Sequence, residues 1–157
     1  NLRDVSKVFQ GILMVKPINV QSSEGMVKLW IHECSRVFHD RLINQDDKVW
    51  FFDMMSKLLF TTYKLNWTPQ DVFLGDPIIY ADFLRKGTPK EDRLYEESKD
   101  IKRYIKLMEQ YMEEYNYEHS SQLDLVFFRD ALEHVARISR ILRQPRGNAM
   151  LVGVGGS

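Results

Sequence analysis

The chain has 157 residues, enough for one ordinary domain or two small subdomains with a workable core. Its 22 basic and 22 acidic residues cancel, which removes any bulk electrostatic case for nucleic acid or an anionic membrane; 44% hydrophobic and 28% charged residues exclude a disordered chain. One cysteine, Cys34, excludes an intrachain disulfide, and no apolar run approaches the ~20 residues needed to cross a bilayer.

The opening "NLRDVSKVFQGILMV" predicts a helix. Asn1 serves as N-cap with Asp4 three residues on, and Leu2, Val5, Phe9, Ile12 and Leu13 recur at the spacing of an inward stripe, with Pro17 as the exit. A second helix follows "QSSEG" over about residues 26–42, with Met26, Leu29, Trp30, Val37 and Phe38 facing in and Cys34 beside them. A third follows "NQDD", whose aspartates suit a positive first turn, and carries Val49, Phe52, Met55, Leu59 and Tyr63. Residues 66–88 are broken up and predict short helical turns and loop, with Thr68 as N-cap and Pro69 at the first helical position. A fourth helix is predicted over about 98–115, on Ile101, Tyr104, Ile105, Met108 and Met112, and the polar "NYEHSSQ" is the best internal boundary. The last helix, "LVFFRDALEHVARISRILRQ", puts Phe128, Ala131, Leu132, Val135, Ile138 and Leu142 on one face, with Glu133 and Arg137 paired at i,i+4. Pro145 and Gly147 end it and lead to an apolar strand at Met150, Leu151 and Val152.

The ending "GNAMLVGVGGS" admits two readings. A glycine-rich flexible end is the simpler one. The other is a phosphate loop of the form G-x-x-x-x-G-K-[ST], with Gly153, Val154, Gly155, Gly156 and Ser157 as its first five positions and the Lys, the Mg²⁺-binding hydroxyl and the following helix missing. A strand without a partner in the chain favours an α/β module whose other strands lie elsewhere, because unpaired backbone groups cost about 1–3 kcal/mol each when buried. Asn1 in place of an initiating Met adds the expectation that both ends are cuts in a longer polypeptide.

Few residues stand out chemically. Arg3 falls in the first turn of a helix, where a cation opposes the dipole by about 0.3–1 kcal/mol. It reads either as an exposed Arg that tolerates this or as one aimed, with the helix end, at an anion. His32, His39, His119 and His134 lack metal-ligand spacing, and Cys34 reads as a packed core thiol. Arg137, Arg140, Arg143 and Arg146 form a basic run that reads as surface ion pairs or as a face toward a neighbouring nucleotide. No complete catalytic set is present.

Three segments, "NLRDVSKVFQGI", "KLWIHECSRVFHDRL" and "LVFFRDALEHVARISRILRQPRGNAMLVGVGGS", resemble the heavy chain of dynein over almost the full length. The span that the chain resembles leaves the third AAA+ module of the motor ring and enters the fourth, and Gly155, Gly156 and Ser157 fit the axonemal form of that fourth loop. The resemblance implies a mostly α fold. Residues 1–118 would be a helical lid subdomain, and residues 119–157 the linker, first helix, first strand and truncated phosphate loop of the next α/β P-loop module. It implies that Arg3 is a sensor-2 arginine reaching the γ-phosphate of the preceding module. Leu125 and Val126 would line the adenine pocket of the following module, and Gly153, Val154, Gly155, Gly156 and Ser157 would open its phosphate loop.

It further implies an ATP-driven, minus-end-directed microtubule motor of cilia and flagella. ATP and Mg²⁺ would bind the parent chain, with none expected on this segment alone. The implied partners are the neighbouring AAA+ modules, the microtubule, and dynein light and intermediate chains; the implied place is the cytoplasmic axoneme. The alternative from the residues alone is a self-standing helical interaction module with no role linked to ATP.

Overall fold

Helix α1, Leu2–Ile12, starts where its cap requires: the Asn1 side chain accepts from the Asp4 N–H at 3.1 Å. Such a cap contributes about 1 kcal/mol. The computed structural model describes residues 1–153, which pack as two units, Asn1–Lys102 and a second beginning at Arg103.

Helix α1 lies against α2, Ser23–Cys34, but not through the stripe its pattern predicts. Val8, Gly11 and, just past the helix, Val15 are buried, whereas Leu2 (86% exposed), Val5, Phe9 and Leu13 (81% exposed) face out. Of the predicted inward set only Ile12 packs against the core. The helix has two apolar sides; the one with a small Gly11 between Val8 and Val15 is the one buried on α2.

Helix α2 is capped by Ser22 Oγ, which accepts from the Gly25 N–H at 3.0 Å, and its last turn continues as a π-helical turn over Ser35–His39. Its first turn is exposed, but Val27, Leu29 and every residue from Ile31 to Ser35 are buried, and Met26 is exposed instead of inward. The continuous burial from Ile31 to Ser35 places the second half of α2 at the centre of its unit. Helix α3, Gln45–Tyr63, buries Phe51, Met55 and Leu59 and closes with Lys64 in the left-handed region at φ +58°. Val49, predicted inward, is exposed, and Phe51 takes its place.

Val8, Val27, Ile31, Phe51, Met55 and Leu59 form the main core with Cys34 and Val72. Each fully buried aliphatic contributes about 1.5–3 kcal/mol. Phe52 and Phe73 stack at 4.3 Å along its edge. Thr68 and Asp71 close on each other ahead of a π-helical turn over Gln70–Leu74: Asp71 Oδ2 accepts the Thr68 N–H (2.8 Å) and hydroxyl (2.7 Å), and Thr68 Oγ1 accepts the Asp71 N–H at 3.4 Å. No side chain caps the π-helical turn itself, whose N-cap position is Pro69.

Residues 66–88 hold an element the pattern does not predict. Strand β1, Ile79–Ala81, pairs antiparallel with β2, Glu96–Ser98, matching Ile79 with Ser98, Tyr80 with Glu97 and Ala81 with Glu96. Three-residue strands are too short to show alternation, and all three residues of β1 are buried. Tyr80 and Tyr95 close a second core with Val15 and Leu29.

In the second unit, helix α4, Ile101–Glu118, and α5, Arg129–Arg143, meet where the Tyr104 hydroxyl donates to the Leu132 carbonyl at 3.2 Å. Tyr104, Leu132 and Ala136 are its buried residues. Helix α5 starts four residues later than the apolar "LVFF" predicts, and Phe128 and Leu142 of its predicted inner face are exposed. The predicted Glu133–Arg137 pair forms at 2.9 Å, and Arg129 reaches the same carboxylate at 3.0 Å. A Cβ on Gly147 would run into the Ile141 carbonyl oxygen, so the turn after α5 accepts only glycine. Met150, Leu151 and Val152 are exposed and unpaired among the described residues; a strand ladder needs a second strand to bond to.

Candidate functional site

The first turn of α1 separates two charged neighbours. Asp4 is buried and held from two sides, by Arg41 Nη1 at 3.2 Å and Lys7 Nζ at 3.4 Å. Arg41 also lies over the Phe38 ring at 5.5 Å. Burial alone would raise the Asp4 carboxyl, but hydrogen bonds and charge from Arg41 and Lys7 outweigh it and hold its pKa below the ordinary carboxylate value. Arg41 lies 37 positions away in sequence, so the contact ties the start of α1 to the segment after α2.

Because the folded pKa of Asp4 is depressed, its stabilisation is fully present above the unfolded pKa of about 3.9 and is lost as pH falls through the lower folded value. Asp4→Asn is therefore expected to flatten the acid limb of the unfolding profile below about pH 4. Urea titrations between about pH 3 and 6 would check this, and an unchanged acid limb would assign it to other carboxyls.

Arg3 differs from its neighbour: it is exposed, and among the described residues no hydrogen bond or ion pair engages its guanidinium. It flanks the exposed stripe of Leu2, Val5, Phe9 and Leu13 on the same helix. A cation in a positive first turn, free to extend beside an uncovered apolar surface, has the chemistry to meet an anion carried by whatever covers that surface.

Leu125 and Val126 sit outside α5, in the stretch between α4 and α5, and both are exposed, Val126 at 81%. The Leu125 N–H points to Met112 Sδ at 3.3 Å. Gly153 is exposed at the end of the described residues; the loop positions Val154, Gly155, Gly156 and Ser157 lie outside them. Arg3 belongs to the first unit, and Leu125, Val126 and Gly153 to the second.

The remaining candidates are structural. Cys34 is buried, and burial together with the Glu33 charge pushes its thiol up to about 12, far from a nucleophile. His32 is locked in the second core: Nδ1 donates to the Ile78 carbonyl at 2.8 Å and Nε2 lies 3.1 Å from the Tyr95 hydroxyl, which donates to Glu33 Oε1 at 2.9 Å. No cluster of metal-ligand residues occurs among the described residues, and no described helix is long and apolar enough to cross a membrane. An open cleft of about 840 Å³ in the first unit, with Trp67, Asp71, Lys28 and Glu97 on its walls, contains none of the predicted site residues.

The first unit is thus a mostly helical body with a small hairpin, on which α1 carries Arg3 beside an uncovered apolar stripe. Residues 1–79 match the AAA+ lid domain family, and residues 123–157 match the P-loop containing dynein motor region D4. The chain belongs to the AAA+ region of the dynein heavy-chain family, running from a lid into a P-loop motor region.

All 157 residues align with human dynein axonemal heavy chain 6 and with human dynein axonemal heavy chain 1, each at 43% identity. Human dynein axonemal heavy chain 10 aligns over the same length at 42%. The chain spans only about 3–4% of the length of these relatives.

Proposed function

We propose that this segment carries the nucleotide state of one AAA+ module to the next within an axonemal dynein heavy chain. The observation that supports the reading is the composition of α1: Arg3 without a partner, beside an exposed apolar stripe, on a helix whose start is tied through Asp4 to Arg41. Residues 1–118 act as the lid of the third module and residues 119–157 as the start of the fourth. The stripe seats the lid on the nucleotide-holding part of the third module, where the Arg3 guanidinium meets phosphate oxygens in charge-assisted hydrogen bonds. Mg-ATP, when bound, supplies the γ-phosphate whose hydrolysis withdraws that contact. The tied helix then moves as one piece with the lid body, and the covalent path through α4 and α5 passes the movement on.

In this reading Leu125 and Val126 line the adenine pocket of the fourth module, and Gly153, Val154, Gly155, Gly156 and Ser157 open its phosphate loop. The parent chain is an ATP-driven, minus-end-directed microtubule motor of the ciliary and flagellar axoneme. Its partners are the neighbouring AAA+ modules, the microtubule, and light and intermediate chains.

Phe9→Asp tests the seating. Phe9 is exposed here, so the substitution should alter the stability of this chain by less than about 0.5 kcal/mol. In the full heavy chain the same charge would be buried under the third module, an arrangement that costs several kcal/mol. ATP-driven microtubule gliding is expected to slow severely. Normal gliding by a stable Phe9→Asp heavy chain would show that the stripe is not covered and would end this reading.

A further inference from the structure

The segment bearing Leu125 and Val126 has no regular secondary structure, yet one side chain gives it a fixed register. Asn116, in the last turn of α4, donates from Nδ2 to the Leu123 carbonyl at 2.7 Å and accepts the Leu123 N–H on Oδ1 at 2.6 Å. Both backbone groups of Leu123 are thus engaged by one amide, the pairing that a neighbouring strand would otherwise provide. Gln122 Nε2 donates to the Asn116 carbonyl (2.8 Å) and to the His119 carbonyl (3.1 Å), fixing the turn that precedes Leu123. Met112, one helical turn before Asn116 and on the same face, receives the Leu125 N–H. Among the described residues no other hydrogen bond engages residues 123–126.

Leu123 is held at both backbone groups and Leu125 at its N–H, which limits how the backbone of the next residue, Val126, can turn. The N–H and C=O of Val126 are left without partners among the described residues, beside two exposed apolar side chains. A flat heteroaromatic ring that carries an acceptor next to an amino donor matches that combination: its face lies on the side chains and its edge bonds the backbone.

We propose that Asn116 is a positioning residue for the base of the nucleotide bound by the fourth module. It acts through the backbone of residues 123–126, which it holds in the register that presents Leu125 and Val126 to the ring. The inference rests on the reading of Leu125 and Val126 as adenine-lining, and adds a residue from the preceding helix to that task. It makes the end of α4 and the base-facing segment one unit: a shift in the last turn of α4 would move both.

The experiment uses the full heavy chain, with phosphate-loop substitutions silencing its other nucleotide sites. Affinities for Mg-ATP and for Mg-tripolyphosphate, which lacks the base, are measured side by side. Asn116→Ala is expected to weaken Mg-ATP binding by about three- to tenfold and to leave tripolyphosphate binding within about twofold, since only the base-facing segment loses its anchor. Asn116→Asp, which keeps the shape but sets an oxygen against the Leu123 carbonyl, should do at least as much. Equal losses for both ligands would mean a general structural defect, and no loss would mean that the segment needs no anchor; either result overturns the proposal. Val126→Asp separates it from the reading beneath it. If Val126→Asp weakens ATP and Asn116→Ala does not, the positioning role alone fails. If Val126→Asp also leaves ATP binding intact, the adenine assignment fails and the positioning role with it.

Discussion

Replacing Arg3 by Ala in the full heavy chain is expected to lower ATP turnover at the third module by about 10–100-fold while leaving the stability of the lid unchanged. The first half of that expectation is a charge argument. A guanidinium that grips phosphate oxygens makes charge-assisted hydrogen bonds of about 1.5–3 kcal/mol, and every 1.36 kcal/mol withdrawn from the transition state is a tenfold loss of rate. The second half comes from the structure. Arg3 is exposed, its guanidinium is engaged by no described residue, and its charge sits in a positive first turn, so removing the side chain takes nothing from the fold. Arg3→Lys keeps the charge but loses the planar fork, and should recover part of the rate only. Turnover and gliding indistinguishable from the unaltered motor would remove Arg3 from the mechanism; a drop accompanied by lid unfolding would move it to a structural role.

Tyr95→Phe should destabilise the chain by about 2 kcal/mol, although it removes a single atom. Tyr95 and Glu33 are fully buried, and His32 nearly so, in a core that holds Tyr80 at 5.7 Å from the Tyr95 ring. The phenylalanine ring would keep that packing. What it withdraws is the hydroxyl between Glu33 Oε1 and His32 Nε2, at 2.9 Å and 3.1 Å, in surroundings where no bulk water can substitute for it. A buried carboxyl deprived of a donor loses far more than an exposed one. The measurement is a urea midpoint shift at constant slope. A shift worth less than about 0.5 kcal/mol would show that Glu33 and His32 are satisfied without the hydroxyl. The result bears on the hairpin as well, because His32 Nδ1 holds the Ile78 carbonyl just ahead of β1 and Tyr95 directly precedes β2.

The site was legible in the sequence to different degrees. Arg3 could be singled out because its conflict with a helix dipole needs only a helix start, and Asn1 marks that start. Leu125 and Val126 could be named only by resemblance, since nothing in their spacing separates them from the helix that the pattern predicts from Leu125 onward. The Asp4–Arg41 pair and the Asn116 clamp left no signal that pattern reading could use. One joins residues 37 apart, and the other depends on how a loop folds back on a helix end.

What the sequence determined by itself was everything encoded within about one helical turn. The Asn1 cap, the Thr68 start, the Glu133–Arg137 pair and the halt of α5 before Pro145 and Gly147 all rest on neighbours three or four residues away, whereas the Ser22 cap starts α2 three residues ahead of the predicted Met26. Tertiary structure decided which side of each helix is inside. The apolar spacing of α1 fits two faces, and only the presence of α2 selects the one with Val8 and Gly11, leaving Leu2, Phe9 and Leu13 outside. It also decided the β1–β2 hairpin and the His32–Tyr95–Glu33 chain, whose members are brought together across about sixty residues. Periodicity says that a surface must be covered; only the neighbours that arrive in three dimensions say by what.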